Sequence, residues 1–92
     1  MFDSLSNIIE IDLTNFDSSS VITMKYMFHN AINLNIISFP TNFDTSKLES
    51  MHHMFANCIS LISLDLSSFN TDRVTNIDNM FLNCEKLTTL DL

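Results

Sequence analysis

The stretch LDLSSFNTDRVTNIDNMFLNCEKL, residues 64–87, contains every position of a pattern that returns along the whole chain. Its Met80-Phe81 pair gives the frame, because the same pair occurs at Met1-Phe2, Met27-Phe28 and Met54-Phe55. The Phe residues of successive pairs are 26, 27 and 26 positions apart. A fixed period of this length predicts a repeat architecture, in which each unit buries its apolar side against its neighbour.

The period divides the chain into three units and the start of a fourth. We expect one domain, 1–92, with units at 1–26, 27–53 and 54–79 and a partial unit at 80–92. Nine alignment columns are apolar in all three units, beginning with the column of Ile8, Leu34 and Leu61. The extra residue of the second unit lies between Phe39 and Phe43, beside Pro40, which predicts a loop there.

Two spacings within the unit predict its secondary structure. Leu64-Asp65-Leu66 alternates apolar and polar residues, as a short strand with one face outward does. Residues Val74, Ile77, Met80 and Phe81 recur at steps of three and four, which favours a short helix. Each unit is therefore predicted to run strand, loop, helix.

The unit at 64–87 resembles the bacterial surface-protein 26-residue repeat, which is akin to the leucine-rich repeats of BspA-like proteins. The most specific part is the run Met-Phe-x-x-Cys-x-x-Leu, present at 54–61 and 80–87. The resemblance implies an α/β, leucine-rich-repeat-like solenoid of short parallel strands and short helices, with about 3.5 repeats of 26–27 residues. It also implies a location at the cell surface or in the secreted fraction.

For function, the resemblance implies a non-enzymatic repeat module for adhesion, with a protein or glycan partner. The alternative is a structural spacer, or a piece of a longer repeat array without activity of its own. No nucleophile, base or metal cluster departs from the repeat pattern, so we expect neither an enzyme nor a cofactor.

Composition narrows the possible partners. The formal charge is -7, with four fixed cations, so a basic surface for nucleic acid is not expected. No apolar run reaches the roughly 20 residues that span a bilayer, so membrane insertion is not expected. The absence of Gly removes the glycine-dependent phosphate-binding loops.

The candidate binding residues form one column of the repeat, Asp12, Ser38, Asp65 and Asp91. Each stands between two apolar strand positions and is therefore expected on the outward face of the strands. Neighbouring carboxylates in such a column repel one another, which a calcium ion or a cationic protein surface would relieve. The alternative is a solvated acidic face that keeps the chain soluble.

The cysteines and the paired histidines carry weaker signals. Cys58 and Cys84 share one column, which would allow a disulfide, but Ala31 fills that column in the first unit, so two free packed thiols are predicted. His52-His53 could suggest a metal pair, but we expect a solvated surface there, because adjacent helical residues point in different directions.

Two sets of polar residues are predicted to shape the backbone. Asp17-Ser18, Asp44-Thr45 and Asn70-Thr71 are expected to bond turn amides or to start the helix. Asn30, Asn57 and Asn83 are expected to take the left-handed conformation that ends a helix. Met1-Phe2 and Leu92 both lie within repeat units, so apolar ends are expected to cause end-to-end association or marginal stability.

Overall fold

The computed structural model describes residues 7–13, 15–40 and 42–91. The strands are β1, Glu10–Asp12, β2, Ile36–Ser38, β3, Ser63–Asp65, and β4, Thr89–Asp91. They form two parallel two-stranded sheets, β1 with β2 and β3 with β4. The predicted strands are present but begin one residue earlier than expected, and Leu92 and the Met1-Phe2 pair lie outside the described residues.

The prediction of an α/β, leucine-rich-repeat-like solenoid is wrong. The described ranges contain no helix, and their strands form two separate small sheets. Where helices were expected, the backbone makes consecutive turns closed by hydrogen bonds from an N–H to the carbonyl three residues earlier, such as Met80 to Ile77 and Cys84 to Phe81, each at 3.2 Å. No helix among these residues is long and apolar enough to cross a membrane.

The turns do not continue into a helix because alternate amides bond to the next repeat unit. The N–H groups of Met24, Tyr26 and Phe28 donate to the carbonyls of the residues 26 positions later, at 2.9, 3.0 and 2.9 Å. Two isolated parallel bridges also join the units, one between Thr23 and Ser50 and one between Ser50 and Asn76. Backbone hydrogen bonds therefore join successive units even outside the strands.

The apolar columns form one core. The largest side chains with almost no exposed surface include Phe28, Phe55, Leu34, Leu48, Met54 and Leu61. Burying a side chain of this kind contributes on the order of 1.5–3 kcal/mol. Phe28, Phe55 and Phe81 stack with nearly parallel rings, at centroid distances of 5.4 and 5.8 Å.

Three column members among the described residues are exposed, and one of them is Leu90, at 39%. Ile8 is 38% exposed and Ile77 is 58% exposed, although the repeat places both in apolar columns. Counted from the first apolar column instead of the Met-Phe pair, as they are from here on, the three units run 8–31, 34–58 and 61–84. Ile8 belongs to the first unit and Ile77 to the third, whereas their second-unit counterparts, Leu34 and Met51, are buried. No column member of the second unit is exposed.

The left-handed conformation predicted for the three asparagines is confirmed, but their predicted role of ending a helix is wrong, because the described residues contain no helix. Asn30, Asn57 and Asn83 have φ values of 63, 63 and 60°. The side-chain Nδ2 of Asn57 donates to Oδ1 of Asn30 at 2.7 Å, and that of Asn83 donates to Oδ1 of Asn57 at 2.8 Å. These amides form a ladder across the units.

The acidic and asparagine turns also behave as predicted. Oδ1 of Asp17, Asp44 and Asn70 accepts the N–H two residues later, at 3.0, 2.9 and 2.9 Å.

Candidate functional site

The predicted binding column lies on the outward face of the strands. Asp12 pairs with Ser38, and Asp65 pairs with Asp91. All four residues are exposed, while the middle residues of β1, β2 and β3 are buried. The structure therefore brings the column together as two pairs. β2 contacts β3 without pairing to it, so the column is not one continuous ladder.

Asp65 is fixed in place by its own loop. Its Oδ1 accepts the Ser67 hydroxyl at 2.6 Å and the Ser67 N–H at 2.9 Å. These two hydrogen bonds hold the pKa of the Asp65 carboxyl below its ordinary value of 3.8. The outward face consequently carries a stable negative charge beside Asp91.

A second outward column, which the sequence places beside the acidic one, lies on the same strands. Glu10 pairs with Ile36 and Ser63 pairs with Thr89, each two residues before a member of the acidic column and hence on the same face. Ile36 is 50% exposed.

Two more isoleucines are exposed next to the strands. Ile9 directly precedes β1 and is 59% exposed, and Ile62 directly precedes β3 and is 51% exposed. The carbonyl of Ile9 accepts the N–H of Asn35 at 2.7 Å, and that of Ile62 accepts the N–H of Thr88 at 2.9 Å. Backbone pairing therefore holds both residues beside the strands, and Ile36 is the isoleucine that shares the outward strand face with the carboxylates.

The paired histidines do not form the solvated surface that was predicted. His52 and His53 are half-buried, with 2.8 Å between Nε2 of His52 and Nδ1 of His53. Tyr26 lies against both rings and against His29, at centroid distances of 5.1 to 5.5 Å. We call Tyr26, His29, His52 and His53 the histidine cluster. The prediction failed because the segment is a turn and not a helix.

Partial burial affects the protonation of His53. It lowers the pKa of His53 below the ordinary value of 6.5, and the neighbouring His52 and His29 lower it further, whereas Asp78 opposes them. Nδ1 of His52 is buried without a hydrogen-bond partner. The neutral form of His53 is therefore favoured in the folded chain.

The cysteines are free, as predicted. The thiol of Cys58 lies 3.1 Å from the carbonyl of Phe28, and that of Cys84 lies 3.1 Å from the carbonyl of Phe55. Burial raises the pKa of Cys58 to about 12 and also raises that of Cys84. Both thiols are packed and poorly nucleophilic.

Across residues 7–13, 15–40 and 42–91, no group of three or more His, Cys, Asp or Glu side chains is placed to hold a metal ion. Calcium takes 6–8 oxygen ligands as a rule. The arrangement of the acidic column in pairs thus suits hydrogen bonds and ion pairs to a larger partner better than a bound cation.

A family model described as "Mycoplasma protein of unknown function, DUF285" matches residues 1–91. The chain belongs to the DUF285 family. Membership of DUF285 supports the interpretation of a repeat protein, but it does not support the assignment to BspA-like leucine-rich repeat proteins. No curated protein and no solved structure matches this DUF285 chain.

Proposed function

We propose that this chain is a non-enzymatic repeat module that binds a protein partner through the outward face of its strands. The observation that supports it is exposed Ile36, which stands in register with the exposed carboxylate residue Glu10 on the outward strand face. Accessible apolar groups beside charges are a common feature of protein-binding surfaces. The partner would present basic and apolar side chains.

The isoleucines favour a protein over a glycan as the partner. Regular backbone pairing holds the face in place, because Glu10 and Ile36 on one sheet, and Ser63 and Thr89 on the other, are fixed in register. A pre-organised face loses less conformational entropy on binding. The likeness of the 64–87 unit to BspA-like repeats adds the proposal of a cell-surface or secreted location.

The experiment uses a synthetic peptide of alternating lysine and leucine as the probe, with binding measured by fluorescence polarisation. We expect the double variant Asp65→Asn, Asp91→Asn to weaken binding about tenfold, a change of about 1.4 kcal/mol. Asparagine can keep the loop contact of Asp65, since Asn70 makes the equivalent bond at 2.9 Å.

The matched control is Asp72→Asn with Glu85→Gln, which also removes two negative charges, but from exposed residues outside the strands. This control should bind as the unmodified chain does. An equal loss in both double variants would show only general charge attraction and would refute the proposed face. No binding by the unmodified chain would favour the spacer alternative.

A further inference from the structure

The histidine pair of the second unit lies in a turn that the neighbouring units hold in place. The carbonyl of His52 accepts the N–H of Tyr26 at 3.0 Å, and the N–H of His53 donates to the carbonyl of Asp78 at 3.0 Å. His53 has the same left-handed φ, 55°, as its counterpart Asn79. The repeat needs this backbone but not two imidazoles, because Asp78-Asn79 stands at the same positions in the third unit.

The turn brings two ring nitrogens together, whereas a helix would point the two rings in different directions. Nε2 of His52 lies 2.8 Å from Nδ1 of His53. In a square-planar site with metal–nitrogen bonds of about 2.0 Å, neighbouring ligand nitrogens are also about 2.8 Å apart, whereas in a tetrahedral site they are about 3.3 Å apart. The pair therefore has the spacing of two adjacent ligands of a square-planar ion.

The orientation of the two rings also fits a shared ion. Their centres are 4.1 Å apart and their planes differ by 65°. A well-aligned hydrogen bond between the nitrogens would hold the centres farther apart, since each centre would lie behind its own nitrogen on one line. The rings instead meet at an angle, as two ligands of one ion do. The Tyr26 hydroxyl lies 3.4 Å from Nε2 of His52, which places an oxygen beside the pair.

We propose that Nε2 of His52 and Nδ1 of His53 together bind a copper(II) ion, at a site that includes no residue of the strand face. Copper(II) favours square-planar nitrogen and oxygen sites and binds a given site more tightly than the other divalent ions of its row. Tyr26 is 40% exposed, so its oxygen and solvent water are available for the remaining positions. The charge of Asp78, which acts on His53, and the net charge of -7 both favour a cation here.

Nδ1 of His52 limits the expected affinity. Binding through Nε2 puts the ring proton on Nδ1, which is buried without a hydrogen-bond partner among the described residues. A buried donor without an acceptor costs free energy, so we expect a dissociation constant on the order of micromolar and not of nanomolar. Two histidines alone also agree with the finding that the described ranges place no three His, Cys, Asp or Glu side chains around one ion.

The probe is copper(II) chloride, titrated into the 92-residue chain at about pH 7.5, where an ordinary imidazole is neutral. Electron paramagnetic resonance should show coupling of the copper to two imidazole nitrogens. His53→Asn should weaken copper binding at least about tenfold by calorimetry, because one of the two ligands is lost. Asparagine keeps the backbone conformation, since Asn79 has φ of 55° at the equivalent position.

The matched control is His29→Asn, which removes another histidine of the cluster but leaves the two paired nitrogens. This control should bind copper as the unmodified chain does. An equal loss in both variants, coupling to a single nitrogen in the unmodified chain, or a dissociation constant above about 1 mM would overturn the proposal. So would zinc binding as tight as copper binding, because zinc prefers the tetrahedral arrangement. The spectrum of the unmodified chain decides between one and two nitrogens even if His53→Asn does not fold.

Discussion

Six non-glycine residues among those described have positive φ, two in each unit. The asparagines Asn30, Asn57 and Asn83 accept this conformation readily, but Tyr26 and His53 have φ of 56 and 55° and pay a steric cost of about 1–2 kcal/mol each. Both donate a backbone hydrogen bond to the next unit, at 3.0 Å. Unit-to-unit pairing therefore offsets local strain.

The lowered pKa of His53 predicts a loss of stability in mild acid. The folded state favours neutral His53, so the unfolded chain takes up its proton first, near the ordinary pKa of 6.5. The stability that the folded chain gains from neutral His53 is complete above pH 6.5 and is lost as the pH falls below that value. We expect the melting temperature, followed by circular dichroism, to fall between about pH 7.5 and pH 5.

His53→Asn tests the assignment, because the third unit has Asn79 at the equivalent position with φ of 55°. Asparagine keeps the backbone conformation and removes the titrating ring. The melting temperature of the variant should fall less than that of the unmodified chain over the same pH range. An equal loss in both proteins would mean that carboxylates or the other histidines dominate.

At the scale of the element, the spacing of apolar residues explains what was predictable. The sequence predicted most core residues correctly, because a helix and a chain of turns both bury every third or fourth residue. Val74, Ile77 and Met80 are three apart, as are Phe81, Cys84 and Leu87, whereas a continuous helix averages about 3.6 residues per turn. Repeated steps of three fit the observed turns better.

The candidate site was predictable only in part. Alternation around Asp65 correctly placed the acidic column outward, because strand side chains point to opposite faces in turn. The break between β2 and β3 and the contacts within the histidine cluster depend on how whole units meet. No residue pattern within one unit contains that information.

The phenylalanine stack predicts a position-dependent cost of substitution. Phe55 lies between Phe28 and Phe81 with 0% exposure, whereas Phe81 is partly buried and contacts one ring of the stack. Phe55→Leu should destabilise the chain by about 1–3 kcal/mol, and Phe81→Leu by less than half as much. Urea unfolding measures both. Equal costs would show that the third unit is packed as tightly as the second.

At the scale of the whole molecule, side-by-side repeats place like charges together. The chain has 11 acidic and four basic residues other than histidine. Asp65 stands in register with Asp91, and Asp17 is close enough to Asp44 to be repelled by it. The period that aligns apolar columns into a core also aligns carboxylates on the surface.

This repulsion predicts that moderate salt stabilises the fold. The screening length falls from about 20–30 Å at low salt to about 8 Å near 0.15 M, so the exposed carboxylates should repel one another less. We expect sodium chloride added to about 0.15 M to raise the melting temperature by a few degrees, on the order of 0.5–1 kcal/mol. The variant Asp65→Asn, Asp91→Asn should start from a higher melting temperature and gain less from salt, since it already lacks one repelling pair. A melting temperature that stays constant or falls with salt would mean that attraction to the four basic residues outweighs the aligned repulsion.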